Sequence, residues 1–246
     1  MKVFKPKFWK EKNNLISFSL LPFAFLLQII IKFKKNIFKI EKFSIPIICV
    51  GNIYLGGTGK TPLAIEVVKI LKKLNNKAAI IKKLYKSHID EFKLIESKNI
   101  ALFKDISRSA AIKKAIAAKF ECVVLDDGFQ DISIHKNLNI VCFNEKQLIG
   151  NGFTLPAGPL REPTSSLKKC QIVVINGEKN YEFENIIKNI SKTINIYYSK
   201  YLPVNIDKFQ NHNLLAFAGI GNPENFFNLL EMNNLKINKK IVFPDH

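Results

Sequence analysis

A chain of 246 residues, 47% apolar and 24% charged, suits one large domain or one domain with a small appendage, and this composition excludes wholesale disorder. The net charge of +18 predicts an anionic partner: nucleic acid, an acidic membrane surface or a phosphorylated substrate. Because the chain has no arginine-rich tract, zinc-finger spacing or RNA-binding aromatic run, we expect no nucleic-acid partner. The four cysteines show no Cys-x-x-Cys spacing, so we expect reduced thiols and a reducing compartment.

The N-terminal segment contains an uncharged stretch, residues 13–31, with lysines on both sides. The stretch is barely long enough to span a bilayer, and it contains Pro22 and Gln28. Aromatic residues bordered by lysines favour an anchor that lies in the plane of the membrane surface. A spanning helix and a helix buried within the protein are the alternative interpretations.

From residue 43 onward, short apolar runs alternate with segments of helical periodicity. The apolar runs, predicted as strands, are residues 45–50, 77–81, 122–125, 138–143, 171–175, 214–217 and 240–243. The predicted helices are residues 61–74, 109–118, 183–194 and 224–232. Because strands that alternate with helices form parallel sheets, the pattern predicts an α/β fold with helices on both faces.

The pattern changes after residue 177, which suggests a second, smaller lobe. We therefore predict three parts: a membrane-associating segment (1–40), a core (41–180) and a smaller C-terminal lobe (181–246).

The strongest chemical signal is a glycine-rich loop between a predicted strand and a predicted helix. It reads Gly56-Gly57-Thr58-Gly59-Lys60-Thr61. Backbone N–H groups of such a loop can surround a triphosphate, together with the positive end of the following helix. Lys60 would reach the β- and γ-phosphates, and Thr61 would place its hydroxyl on Mg²⁺. Tyr54 stands where the strict motif has its first glycine.

Two carboxylates, Asp126 and Asp127, follow the predicted strand 122–125. A carboxylate at the carboxyl end of a core strand, next to a phosphate-binding loop, can hold Mg²⁺ directly or through water. The pair therefore predicts the metal site that accompanies the loop.

A third cluster, residues 150–163, contains three glycines and three prolines and ends in Arg161-Glu162-Pro163. This composition predicts a rigid loop full of turns. The residues alone do not distinguish a stiff surface connection from a loop of the active site.

These motifs resemble those of the tetraacyldisaccharide 4'-kinase family. The matching segments are residues 51–52, 56–62, 126–130, 150–163, 216–224, 226–227 and 243–246. The opening Phe8-Trp9 and the apolar N-terminal segment are similar as well, so the resemblance covers essentially the whole chain. It implies a fold built on a P-loop NTPase-like parallel sheet. It also implies an enzyme that uses Mg²⁺ and transfers the γ-phosphate of ATP to the 4'-hydroxyl of tetraacyldisaccharide 1-phosphate. It also implies an acylated disaccharide phosphate lipid as partner, at the cytoplasmic face of the bacterial inner membrane.

The resemblance assigns the nucleotide and metal site as follows. Lys60 and Thr61 would serve ATP and Mg²⁺. Asp126 would bind the metal ion, with Asp127 and Glu162 close to it.

The resemblance also implies a catalytic base. Asp90, with Glu91 beside it, matches the aspartate that activates the acceptor hydroxyl, and His246 matches the histidine next to that base. Such a base would stand near the sugar hydroxyl during an in-line attack on the γ-phosphate.

Several positions depart from the family's pattern. Residues 82–86 read Lys-Lys-Leu-Tyr-Lys where the family has Ser-Arg-Gly-Tyr-Gly, and Ile89 replaces the glycine before Asp90. Asp131 stands in place of a histidine, and the sequence ends at His246, where family members continue. These departures leave two alternatives open. One is a truncated, non-catalytic family member that retains ATP and membrane binding, and the other is a P-loop protein acting on a different phosphorylated substrate.

Overall fold

The computed structural model describes residues 5–37, 39–85, 89–220 and 223–243. Within these ranges the chain forms two compact units, Lys5–Ser199 and a smaller unit that begins at Lys200.

The larger unit is built on a seven-stranded parallel sheet in the order β3-β2-β4-β1-β5-β6-β7. Its strands are β1 (Ile47–Gly51), β2 (Ala78–Lys83), β3 (Leu102–Asp105), β4 (Cys122–Asp126), β5 (Leu138–Asn144), β6 (Ile172–Asn176) and β7 (Asn195–Ser199). Its helices are α1 (Leu15–Ile37), α2 (Lys60–Lys73), α3 (Ile89–Glu96), α4 (Arg108–Ala117) and α5 (Tyr181–Ile190). Short 3₁₀ turns at Lys7–Lys10 and Thr164–Lys169 complete it.

Helices cover both faces of the sheet, as the sequence predicts. On β4, Val123 and Leu125 face a core shared with α4 and α5, whereas Cys122 and Val124 face a core shared with α2 and α3. Successive strand residues point to opposite faces, so a strand covered on both sides must be apolar throughout. All four cysteines are free thiols and buried, which agrees with the expected reduced state.

The centre of the sheet is where the functional loop must lie. Strand β1 pairs with β4 on one side and with β5 on the other, both in parallel. Ligands of open parallel sheets bind at the carboxyl ends of the strands, where the strand order reverses direction. In this chain that point lies between β1 and β4, and β1 leads into the glycine-rich loop.

Helix α1 is long and mostly exposed. Within it, Leu15–Phe33 is apolar enough and long enough to cross a membrane by length and composition. Only 11% of its most apolar 18-residue window is buried in the chain, and Phe25 is 69% exposed. This exposure argues against the interpretation of a helix buried within the protein. Among residues 15–33 of the helix, Ser17 and Ala24 are the buried exceptions, on one side.

The smaller unit holds a parallel pair of strands, β8 (Leu214–Ala218) and β9 (Ile237–Val242), with α6 (Pro223–Met232) between them in sequence. A 3₁₀ turn at Ile206–Phe209 precedes them, and Phe227 packs against Ala216 and Ala218.

The border between the units differs from the predicted lobe of residues 181–246. Because β7 pairs with β6, α5 and β7 extend the large sheet, and the units divide after Ser199.

Candidate active site

The glycine-rich loop has a backbone shape that its sequence makes possible. Gly59 caps the N terminus of α2 with a φ of 88°, and Gly56 has a φ of 124°. L-residues with a side chain rarely adopt such angles, so glycine is needed at both positions. The loop is held from inside by Asn52, whose Nδ2 donates to the carbonyl of Tyr54 (2.7 Å), the carbonyl of Gly56 (3.2 Å) and Oγ1 of Thr58 (3.0 Å).

A buried polar network joins this loop to the strand-end carboxylate. Thr61 Oγ1 donates to Asp126 Oδ2 over 2.8 Å, and Lys82 Nζ makes a short contact with the same oxygen. Lys82 Nζ also lies 2.6 Å from Glu91 Oε2 on α3. Burial acts to lower the pKa of the Lys82 ammonium, but the Asp126 and Glu91 carboxylates outweigh it and raise that pKa above its ordinary value.

Asp127 forms a second set of charge contacts at the same strand end. Arg161 NH1 lies 3.1 and 3.2 Å from its two carboxylate oxygens, Lys60 Nζ lies 3.8 Å from Oδ1, and Arg108 donates to its backbone carbonyl over 2.7 Å. Burial acts to raise the pKa of the Asp127 carboxyl, but Lys60 and Arg161 outweigh it and lower that pKa below its ordinary value. Asp127 therefore stays ionised and holds two cations beside the loop.

A cleft of about 400 Å³ lies beside these contacts, at the carboxyl edge of the sheet. Its lining residues are all of polar or charged type: Lys82, Lys83, Tyr85, Arg108, Asp126, Asp127, Gln130, Asp131 and Arg161. Asp131, which replaces the family's histidine, accepts from Arg108 NH1 over 3.1 Å. The replacement therefore gives Arg108 a fixed carboxylate partner within the cleft.

The loop of residues 150–163 connects the N-terminal segment to the cleft. At its start, Asn151 Nδ2 donates to Oγ of Ser17 (3.0 Å), and its backbone N–H donates to the carbonyl of Trp9 (2.8 Å). At its end, the Arg161 backbone N–H donates to the carbonyl of Ile53 (2.7 Å), and its side chain holds Asp127. The loop is therefore part of the site and more than a surface connection.

The structure brings most of the predicted nucleotide and metal residues together. Gly56 to Thr61, Asp126 and Asp127 meet at the ends of β1 and β4. Glu162 is buried but does not line the cleft. Burial lowers the pKa of Lys136 overall, and the charge of Glu162 acts to raise that pKa.

The predicted base lies on α3 and is not among the residues that line the cleft. Asp90 stands exposed in the first turn of α3, next to the Glu91 that contacts Lys82. His246, the predicted partner of that base, lies outside the described residues.

Sequence reasoning assigned no role to Lys82, Arg108 or the side chain of Asn52. One signal for Lys82 was available, since it follows the apolar run 77–81 at the carboxyl end of a parallel strand. Arg108 begins α4 and carried no comparable signal, because its partners are 19 and 23 residues away in sequence.

The donor set fits a magnesium ion. Asp126 is fully buried, and its Oδ1 has no hydrogen-bond partner among the described residues. In the described ranges no group of three or more His, Cys, Asp or Glu side chains could hold a metal ion alone. P-loop proteins need none, because the P-loop hydroxyl and a strand-end aspartate hold Mg²⁺ together with phosphate oxygens. Thr61 and Asp126 provide those two groups.

The chain has the arrangement of P-loop nucleotide-binding proteins, in which a glycine-rich loop joins a strand to a helix. As in that class, the first turn of the helix carries a threonine, Thr61, that bonds to the carboxylate at the end of the neighbouring strand, Asp126. Comparison with known proteins narrows this class. The family model described as Tetraacyldisaccharide-1-P 4'-kinase matches residues 15–104 and 90–246. The chain therefore belongs to the tetraacyldisaccharide 4'-kinase family.

Individual relatives agree with this assignment. The tetraacyldisaccharide 4'-kinase of Pelagibacter ubique is 47% identical over 250 residues, which cover 100% of this chain and 79% of the relative. That of Rickettsia canadensis is 33% identical over 264 residues, with the same coverage of 100% and 79%. The crystal structure of LpxK from Aquifex aeolicus in complex with ATP is similar in fold, with a TM-score of 0.71 and 25% identity over 94% of this chain and 83% of the other.

Proposed function

We propose that this chain is a lipid kinase that transfers the γ-phosphate of ATP to the 4'-hydroxyl of tetraacyldisaccharide 1-phosphate. The observation that carries the proposal is the 2.8 Å hydrogen bond between Thr61 and Asp126, with the second Asp126 oxygen buried and unpartnered among the described residues. It gives the chain the paired groups that hold a metal–triphosphate complex. Family membership supports the lipid acceptor.

The nucleotide would be held at the start of α2. Backbone N–H groups of residues 56–61 would surround the β- and γ-phosphates, and the positive helix end would favour their charge. Lys60 extends toward the same space, since its ammonium lies 3.8 Å from Asp127. Mg²⁺, held by Thr61 and Asp126 when bound, supplies charge neutralisation at the phosphate oxygens.

The cations of the cleft would neutralise the charge that develops on the transferred group. Arg108 and Arg161 both line the cleft, and each is fixed by an aspartate, Asp131 and Asp127 respectively. A guanidinium that is already oriented needs little reorganisation when the charge develops, which makes it effective in catalysis.

Asp90 would accept the proton of the acceptor hydroxyl. The hydroxyl oxygen then forms its bond to the γ-phosphorus while the bond to the β–γ bridging oxygen breaks, and ADP leaves. The position of Asp90 in the first turn of α3, one residue before a glutamate joined to the Asp126 network, supports this role.

We further propose that the protein acts at the cytoplasmic face of the inner membrane, as a peripheral protein. The support is α1, with exposed Phe23 and Phe25 and with lysines before and after it. An apolar face bordered by lysines suits the interface between acyl chains and anionic headgroups.

The deciding experiment is transfer of label from γ-labelled ATP to tetraacyldisaccharide 1-phosphate in detergent micelles. We expect labelled lipid from the unaltered protein, and a rate lower by about 10²-fold or more in Lys60→Ala, because a transition-state cation is lost. Lys69→Ala is the matched control, since Lys69 lies on the same helix but is exposed and paired with Glu66 at 2.6 Å.

One result would contradict the role of Lys60, and another would contradict the proposed function. Normal transfer by Lys60→Ala would show that Lys60 does not serve the reaction. An absence of labelled lipid from folded protein that binds ATP would favour the non-catalytic alternative, which neither the described residues nor the comparisons now favour.

A further inference from the structure

Lys82 occupies an unusual position for a lysine. It lies near the end of β2, its side chain is 5% exposed, and it contacts Asp126 and Glu91. Asp126 is fully buried, whereas the Glu91 side chain is 34% exposed. Lys82 therefore joins a carboxylate inside the sheet to a carboxylate on a helix at the rim of the cleft.

Burying the Lys82 ammonium costs free energy, because the charge loses its contacts with water. A buried ammonium is tolerated only when carboxylates or other acceptors compensate the loss of water. Lys82 contacts two carboxylates, those of Asp126 and Glu91. Its partner atom on Asp126 is Oδ2, which also accepts from Thr61, so Thr61 and Lys82 share one oxygen at the metal site.

The connection to Glu91 bears on the orientation of α3. The helix has only eight residues, and Phe92 and Ile95 are its buried side chains. Successive residues of an α-helix are about 100° apart around the axis, so a fixed Glu91 also fixes the direction in which Asp90 points. Phe92 and Ile95 bury one side of the helix, and the contact of Glu91 with Lys82 fixes its first turn to the sheet.

We propose that Lys82 is a positioning residue, which ties the first turn of α3 to Asp126 and thereby directs Asp90 toward the acceptor hydroxyl. The inference rests on the proposed kinase function and adds a residue for which the family's pattern gives no precedent, since serine is expected at this position. Lys82 acts through Asp90 and does not itself take part in the chemistry.

The chain offers a matched control on the same helix. Lys104 on β3 lies 3.1 Å from Glu96, the last residue of α3, so this pair also joins the helix to the sheet. Both side chains of the pair are exposed, at 41% and 52%, and Glu96 lies at the end of α3 away from Asp90. Lys104→Met therefore tests loss of a lysine contact to α3 without loss of the proposed orientation.

The test compares kcat and KM in the lipid transfer assay. We expect Lys82→Met to lower kcat about tenfold or more, while ATP binding measured without Mg²⁺ stays within about twofold. Lys104→Met should keep kcat within about twofold. In an Asp90→Ala background, Lys82→Met should cause no further loss of the residual rate, because two changes acting through one group are not additive.

Other results would overturn the proposal. A kcat of Lys82→Met within twofold of the unaltered protein would do so, as would an equal loss in the Asp90→Ala background. If Lys82→Met does not fold, Glu91→Gln removes the more exposed end of the contact. It should lower kcat to a similar extent. A normal kcat for Glu91→Gln would contradict a positioning role of the Lys82–Glu91 contact.

Hydrogen exchange separates this inference from the proposed function. If the unaltered protein transfers no phosphate, the proposed function fails. Amide exchange in residues 89–97 then tests whether the Lys82–Glu91 contact holds α3 in place. Exchange there should rise in Lys82→Met well beyond its level in Lys104→Met, because a buried charge contact is lost rather than an exposed one. Equal exchange in the two variants would contradict a role of the Lys82–Glu91 contact in holding α3.

Discussion

The side-chain amide of Asn52 donates a 3.0 Å hydrogen bond to the hydroxyl of Thr58, six residues further along the same loop. The same nitrogen reaches the carbonyls of Tyr54 and Gly56, so one buried side chain holds three points of the phosphate-binding loop. The loop thus keeps the backbone shape for nucleotide binding by an internal contact.

Asn52→Ala should weaken ATP binding about tenfold. The substitution leaves buried acceptors unpaired, which costs roughly 1–3 kcal/mol, and it lets the loop relax. Asn76→Ala is the control, because Asn76 is exposed and its amide makes a 3.1 Å bond to the Leu74 carbonyl. Titration of each variant with ATP measures the effect, and equal affinity of Asn52→Ala and the unaltered protein would contradict this account of the loop.

Asp126→Asn should raise the Mg²⁺ concentration needed for half-maximal transfer and lower the maximal rate. The amide carries no charge and offers a single carbonyl oxygen, so both metal affinity and the contact with Lys82 weaken. Asp105→Asn provides the comparison, since Asp105 also ends a parallel strand but bonds to Lys114 at 2.7 Å. A Mg²⁺ dependence that is the same in Asp126→Asn and Asp105→Asn would argue against metal binding by Asp126.

Asp127 should make stability depend on pH in the acidic range. Its pKa is lowered in the folded chain, so its stabilising contribution is complete above the unfolded pKa of about 4 and is lost as pH falls through the folded pKa. Asp127→Asn should melt lower than the unaltered protein near pH 7, by about 2–4 °C for each kcal/mol lost. Below about pH 4 the two melting temperatures should converge. Thermal unfolding from pH 7 to pH 3 measures this, and a constant difference would exclude Asp127 as the cause.

Phe25→Glu should reduce binding to vesicles that contain anionic lipid. Phe25 is 69% exposed on α1, and burial of a phenylalanine side chain is worth about 1.5–3 kcal/mol, so we expect at least a tenfold loss of partitioning. Tyr181→Glu, at a 67% exposed aromatic position on α5, should bind as the unaltered protein does. Equal losses in the two variants would show that added charge, and not α1, controls the binding.

The nucleotide half of the site could be predicted because its signals are local. The predicted strand 45–50 and helix 61–74 correspond to β1 (Ile47–Gly51) and α2 (Lys60–Lys73), and the loop between them is a contiguous motif. Asp126 followed from the same logic, since it ends an apolar strand. In each case one short stretch of sequence carries both the structure and the chemistry.

Elements with few buried residues were harder to predict. Strand β3 lies at the edge of the sheet and none of its residues is fully buried, so it lacks a continuous apolar run. Helix α3 buries two side chains, too few for a clear periodicity. Strand β7 is the other edge strand, and its alternating exposed residues obscured the border between the two units.

The contact of Lys82 with Asp126 could not be predicted from spacing, because 44 residues separate the two. Parallel strand order brings them together, since β2 and β4 are neighbours only after the chain passes through α3, β3 and α4. Strand order depends on how all the layers pack, so it cannot be predicted from any single segment of the sequence.

The loop of residues 150–163 spans from Ser17 on α1 to Asp127 beside the phosphate-binding loop. The loop is folded, since the Leu155 N–H donates to the Leu160 carbonyl over 2.9 Å, and its middle accepts from the Trp9 indole over 3.2 Å. If α1 rests in the lipid headgroups, these contacts fix the height of the phosphate-transfer cleft above the bilayer. An insertion or deletion between Asn151 and Arg161 would disturb them and change how far a lipid headgroup must rise to be phosphorylated.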